Sequence, residues 1–199
     1  MNQSELDQII EKLTNRRPLQ SLSPQKVWDA SIDEQINAID NKELLALGNS
    51  SREVDIEALK SGLLLWNDNL DSSHTLSQDI NNVTGSYLHA IMHRMEGDYS
   101  NSKYWFRLAG DHPAMVKLHQ DAVTWLNEEG RLDSLPAGKE KDKLQAIATS
   151  TNWEPDHFVV VVASAASGTP NRLLQNMLEQ LQYFEMASLI SYCRAAVIA

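Results

Sequence analysis

The stretch DHFVVVVASAASG, residues 156–168, decides the fold class. Four consecutive valines favour a strand, because β-branched side chains pack well on a pleated surface and lose rotamer freedom in a helix. The rest of the chain argues the other way. No second strand candidate occurs in the 199 residues, and a lone strand leaves its backbone N–H and C=O groups unpaired, which is costly in an interior. Pro155 stands just ahead, where a helix tolerates proline because the first N–H groups have no intrahelical acceptor. The stretch is expected to be a buried helix beginning near Pro155, and the chain all-α.

Composition supports this. Eight Gly and six Pro are few for a sheet protein, which needs many turns. The 42% hydrophobic and 22% charged content is that of an ordered globular chain. The length suits a single domain, with residues 1–50 as N-terminal helices packing on a 53–199 core. A net charge of −10, with no basic run beyond Asn15–Arg17, argues against nucleic acid as a partner. The single cysteine, Cys193, excludes an intrachain disulfide and a cysteine-based zinc site, and its apolar setting makes it a buried thiol. No stretch approaches the roughly 18 apolar residues of a membrane span, so no membrane partner is expected. The first residues lack the basic start and apolar run of a secretory leader. A cytoplasmic location is the expectation.

Working outward from the valines, helical spacing recurs. Leu6, Ile9, Ile10 and Leu13 share a face near the start, with Ser4 as cap. Ser23-Pro24 reads as the start of a second helix burying Val27, Trp28, Ile32 and Ile36. REVDIEALKSGLLLWNDNL (52–70) reads as a third, through Ile56, Leu59, Leu63 and Trp66. DSSHTLSQDINNVTGS (71–86) is polar and turn-rich and reads as a loop with one short helical turn near Leu76. Two helices follow over 85–110, then one from Pro113 to Gly130. RLDSLPAGKEKD (131–142) reads as an exposed charged linker. The last helix is expected to open at Thr169-Pro170 and carries Leu174, Leu178, Leu181 and Leu189. The total is about eight helices around a central hairpin.

The chemistry-bearing residues concentrate in GSYLHAIMHRMEGDYSNSKYWFRLAGDHP (85–113), which holds three of the six histidines. His89 and His93 are four apart, so one helix presents both imidazoles on one face, and Glu96 joins them three residues on. That spacing offers two ligands to a divalent transition metal. A third ligand has to come from His74, Asp79 or His112 in the flanking segments. A metal-bound water would then be activated for hydrolysis, with Glu96 as base. The glutamate of the His-Glu-x-x-His metalloprotease pattern is absent. The competing reading is structural: imidazoles bordering a core face hydrogen-bond to a neighbouring helix. In the same way the cluster of Asn67, Asp68, Asp71 and His74 reads either as helix termination or as His74 and one carboxylate facing the histidine pair. Arg94, Tyr104 and Arg107 complete the set of ligand-binding candidates.

Two resemblances rest on these residues. The spacing Ala90, Gly97, Tyr99, Ser102, Phe106, Ala109, Pro113 resembles one tetratricopeptide unit, in which small residues let two antiparallel helices touch. His89 and His93 replace the usual leucine and tyrosine, and one unit forms no solenoid. The wider pattern resembles an uncharacterised family of small helical proteins. It comprises Trp66-Asn67-Asp68 with Ser73-His74, and His89-Ala90-Ile91, His93-Arg94, Glu96-Gly97-Asp98, Asn101, Tyr104-Trp105, Gly110 and His112-Pro113. A weaker part adds Trp153, Pro155, Phe158, Glu179, Glu185 and Tyr192-Cys193. It spans roughly Leu63 to Cys193 and departs at Ser102, where alanine is expected. The family carries no established activity, so the resemblance implies a helical fold and a shared polar cluster, and no substrate.

Two functions follow as expectations. One is a pocket for a small molecule or metal ion, hydrolytic in kind, lined by His74, His89, His93, Arg94, Glu96 and His112. The other is a helical scaffold or protein-interaction module in which these side chains are structural. The apolar last helix is compatible with a homodimer.

Overall fold

A computed structural model describes residues 3–42, 44 and 53–198. Among them every regular element is helical: α1 (Gln3–Thr14), α2 (Ala30–Asn37), α3 (Glu53–Trp66), α4 (Leu70–Ser77), α5 (Val83–Glu96), α6 (Tyr99–Ala109), α7 (Ala114–Leu126), a 3-10 turn (Leu132–Ser134), α8 (Lys139–Thr149), α9 (Pro155–Ser167) and α10 (Arg172–Ile198). Arg52 and residues 45–50, on which part of the N-terminal reading falls, lie outside the described residues.

The valines are helical. Pro155 occupies the first turn of α9, and Phe158, Val159, Val161 and Val162 are buried. Val160 and Ala163, on the half-buried side of the helix, are apolar as well, so the valine run shows no polar stripe for periodicity to register.

Among the described residues ten α-helices stand where about eight are expected, and the two additions have separate causes. α4 occupies what reads as a loop. Its inward face is Ser73 and Ser77 rather than leucine, so it has no apolar period. The Ser61 hydroxyl donates to the Ser73 carbonyl at 3.0 Å and also meets the Ser73 hydroxyl at 3.0 Å, docking α4 on α3 through hydrogen bonds. α8 opens inside the charged segment taken for a linker, and buries only Leu144, Ile147 and Ala148 in its second half.

Two helix starts also move. α2 begins at Ala30 with Asp29 as cap, not at Ser23-Pro24. The Ser23 hydroxyl is spent on the Met95 carbonyl at 2.8 Å, which holds residues 16–28 in a strap across the end of α5. α10 begins at Arg172, and the Asn171 side chain, not Thr169, accepts the Leu174 N–H.

The strap explains the polar end of α3. The last carbonyls of a helix lack intrahelical donors. Arg16 Nη1 donates to the Trp66 carbonyl at 2.7 Å and Gln20 Nε2 to the Leu65 carbonyl at 2.7 Å. Asp68, at φ 68°, holds Arg16 in a buried ion pair at 2.8 Å. Asn67 donates to the Asp29 carbonyl and to Asp33, each at 2.7 Å. Asn67 and Asp68 are therefore helix-terminating groups.

The central hairpin positions the site. α5 ends at Gly97, whose φ of 85° is the left-handed conformation that glycine adopts without strain. Asp98 then caps α6 by accepting the Asn101 N–H. The helices run back antiparallel, and the fully buried Ser102 donates to the Ala90 carbonyl at 2.7 Å. The serine found where alanine is expected thus gains a hydrogen bond at the closest approach. α10 packs along α3 and α7 and closes a hydrophobic core that runs from Leu6 to Val197. No helix among the described residues is long and apolar enough to cross a membrane.

Candidate functional site

Docking α4 through Ser61 and Ser73 turns the next residue, His74, towards α5. There it meets the two histidines on one face of that helix. The ring centroids lie 5.0 Å apart for His74 and His89, 5.8 Å for His74 and His93, and 6.0 Å for His89 and His93. Trp105 from α6 stacks on His89 at 4.4 Å.

The hydrogen bonds assign the tautomers. His89 Nδ1 donates to the Gly85 carbonyl at 3.2 Å, which leaves Nε2 with its lone pair and no protein partner among the described residues. Burial holds the His89 pKa below the ordinary imidazole value. The Gly85 carbonyl opposes this, and the neighbouring His74 and His93 add to it. His89 is therefore neutral at pH 7. His93 Nδ1 faces the Glu96 carboxylate at 3.0 Å, and its Nε2 accepts from Asn101 at 3.0 Å. His74 makes ring contacts and no side-chain hydrogen bond among the described residues.

The remaining predicted residues stand apart. His112 is buried. It accepts the Ala114 N–H on Nδ1 at 3.2 Å, donates from Nε2 to the Thr84 hydroxyl at 3.1 Å, and packs against Tyr87 and Tyr192. With both nitrogens used it has no lone pair for a ligand, and burial pushes its pKa down to about 4. Arg94, on the core side of α5, is sealed against Glu185, with its guanidinium 4.6 Å above the Phe158 ring. Gln182 and Tyr87 complete that network. Asp79, Tyr104 and Arg107 are exposed. Tyr104 meets Trp105 edge-on at 5.5 Å, and Arg107 lines a different cleft beside Trp153. Burial pushes the Cys193 thiol up to about 12, which removes it as a nucleophile.

His119 and His157 also lie outside the cluster. His119 Nε2 meets the Ser150 hydroxyl at 3.1 Å, and His157 Nδ1 is buried with no hydrogen-bond partner among the described residues.

Two members of the cluster, Asn101 and Trp105, were not among the predicted site residues. A signal for them exists in the sequence. His93 and Asn101 stand four residues on either side of Gly97, and His89 and Trp105 stand eight. Folding the chain at Gly97 superposes both pairs.

Beside His89 and Trp105 opens a cleft of about 410 Å³. Among the described residues no group of three or more His, Cys, Asp or Glu side chains is arranged to hold a metal ion as it stands. No protein-family model, curated protein or solved structure matches the chain, so the site is read from its own geometry.

Proposed function

We propose that His74, His89 and His93 form a transition-metal site that serves the adjoining cleft as a small-molecule pocket of hydrolytic type. The observation that carries the reading is the convergence of three imidazoles from two helices within 6.0 Å of one another. With a metal–nitrogen bond of about 2.0–2.1 Å, three rings on a tetrahedral ion stand roughly 5–5.5 Å apart. The second support is orientation. His89 and His93 each commit Nδ1 to an oxygen, on Gly85 and Glu96, an outer-shell arrangement that presents Nε2 to a metal. Uptake entails turning the His74 ring and releasing His93 Nε2 from Asn101. Glu96 then acts by positioning His93 rather than as the base. Three protein ligands leave a fourth place for water, whose pKa such an ion lowers to about 7.

Two observations favour the structural reading, that of a scaffold with tetratricopeptide-like hairpin packing: both ring nitrogens of His93 already have protein partners, and no group of three or more His, Cys, Asp or Glu side chains among the described residues is arranged to hold a metal ion. Metal analysis separates the two. Untagged protein is expected to take up one equivalent of Co²⁺, with visible absorption typical of tetrahedral nitrogen coordination. His89→Ala and His93→Ala variants should lose it while keeping their helical circular dichroism. Protein that stays metal-free after incubation with Co²⁺ and Zn²⁺ refutes the proposal.

A further inference from the structure

We infer that the cleft beside His89 and Trp105 takes an uncharged polyhydroxylated ligand, a saccharide unit. The inference rests on the reading above in treating the cleft as the ligand side of the histidine cluster. Among the described residues its lining contains no Asp, Glu, Lys or Arg side chain, although the chain carries a net charge of −10. An anion entering it faces that field, with Asp79 exposed on the adjacent turn, and finds no cation to pair with. A cation finds no carboxylate on the walls.

What the walls offer is neutral hydrogen bonding of both senses. The Asn82 side-chain oxygen is spent on the Thr84 and Gly85 N–H groups, so its amide N–H₂ is left as a donor. The Gln78 side-chain N–H₂ is spent on the Thr75 carbonyl, so its oxygen is left as an acceptor. The Asn81 amide and Ser86 hydroxyl make no protein hydrogen bond among the described residues and supply both roles. Neighbouring hydroxyls, each a donor and an acceptor, match such a set, whereas a purely apolar molecule leaves it unsatisfied. The apolar complement is Trp105, with the exposed Val83 and Leu108 on the rim, suited to the C–H faces of a pyranose ring. A volume of about 410 Å³ lies within the about 300–1,000 Å³ range of small-molecule sites. His89 belongs to both cleft and cluster and covers one face of Trp105, so the cleft adjoins the proposed metal position and offers a ligand the rest of the indole.

The test is an NMR titration of full-length protein, zinc-treated and EDTA-treated in parallel, with methyl α-D-glucopyranoside, N-acetylglucosamine and maltose. Glucuronate and glucose 6-phosphate are the charged controls. At least one neutral sugar should shift the Trp105 indole and the Asn81 side-chain amide, while the two anions bind at least tenfold more weakly. Asn81→Leu and Ser86→Leu, substitutions outside the core and the helix cap, should each weaken the neutral sugar at least fivefold with unchanged helical circular dichroism. No shift at these signals, equal binding of the anions, or undiminished binding by both variants overturns the inference. Zinc uptake without sugar shifts sinks this inference and spares the metal reading; sugar shifts without zinc uptake do the reverse.

Discussion

Replacing Glu185 by glutamine removes the carboxylate from a guanidinium that has no route to water. Both side chains of the Arg94–Glu185 pair are fully buried. Arg94 Nη1 also reaches Glu185 Oε1 at 3.2 Å, and the Gln182 oxygen lies at 3.5 Å, the limit of a hydrogen bond. Among the described residues Arg94 Nε already lacks an acceptor. Breaking one partner of such a pair leaves an uncompensated buried charge, at a cost of about 3–5 kcal/mol. For a chain of this size that is roughly 6–20 °C in Tm. The pair itself is worth far less than that, since desolvation of both ions offsets most of their attraction. Arg94→Met combined with Glu185→Leu should therefore recover most of the loss, to within about 1 kcal/mol of the parent protein. Urea unfolding of the parent, Arg94→Met, Glu185→Leu and the double variant yields the coupling energy directly, with Glu185→Gln measured alongside and constant m-values as the check for unchanged compactness. A Glu185→Gln cost below about 1 kcal/mol, or a double variant no better than the worse single, refutes the claim that a sealed charge pair locks α5 to α10.

Three further outcomes follow from the packing. His112 is neutral when folded and ionises at the ordinary value when unfolded. Its contribution is thus complete above about pH 6.5 and is lost as pH falls towards about 4; His112→Gln should flatten that part of the stability–pH curve measured by urea midpoint. Gly85→Ala places a Cβ 2.1 Å from the Ile80 carbonyl oxygen, where no side chain can yield, and should cost about 3–5 kcal/mol in the same assay. Ser61→Ala leaves the buried Ser73 hydroxyl without its partner and should cost about 1–3 kcal/mol. Because it loosens α4, it should also move the His74 ring signals in an NMR spectrum.

The fold class was legible because the decisive stretch had only one backbone solution. Valine-rich α9 has no strand to pair with, and Pro155 marks its start. The hairpin was legible through Gly97 and Asp98, each a residue whose local chemistry specifies its position. Periodicity failed where burial is polar. α4 buries serines, and α8 hides three small or aliphatic residues behind a charged face. Capping signals failed where a stronger competitor existed, as at Ser23, whose hydroxyl serves Met95. Within the site, helical spacing brought His89, His93 and Glu96 together on one edge. The separation of His112 and Arg94 from that edge depends on partners at Thr84 and Glu185, which no local spacing encodes. The strap from Arg16 to Trp28 was invisible for the same reason, since its side chains answer carbonyls some fifty residues away.

The Arg94–Glu185 pair also sets a timetable. The two residues stand 91 positions apart, with α6 to α9 between them. During synthesis at about 5–20 residues per second, α5 emerges roughly 5–20 s before its counter-charge exists. Through that interval the guanidinium has water as its only adequate solvent, so α5 and α6 form a hairpin open on its future core side. The arrival of α10 delivers the carboxylate together with the apolar face that covers the remaining helices. Completion of the interior is thereby deferred until α10 is made, and the central seam stays unsealed throughout that interval.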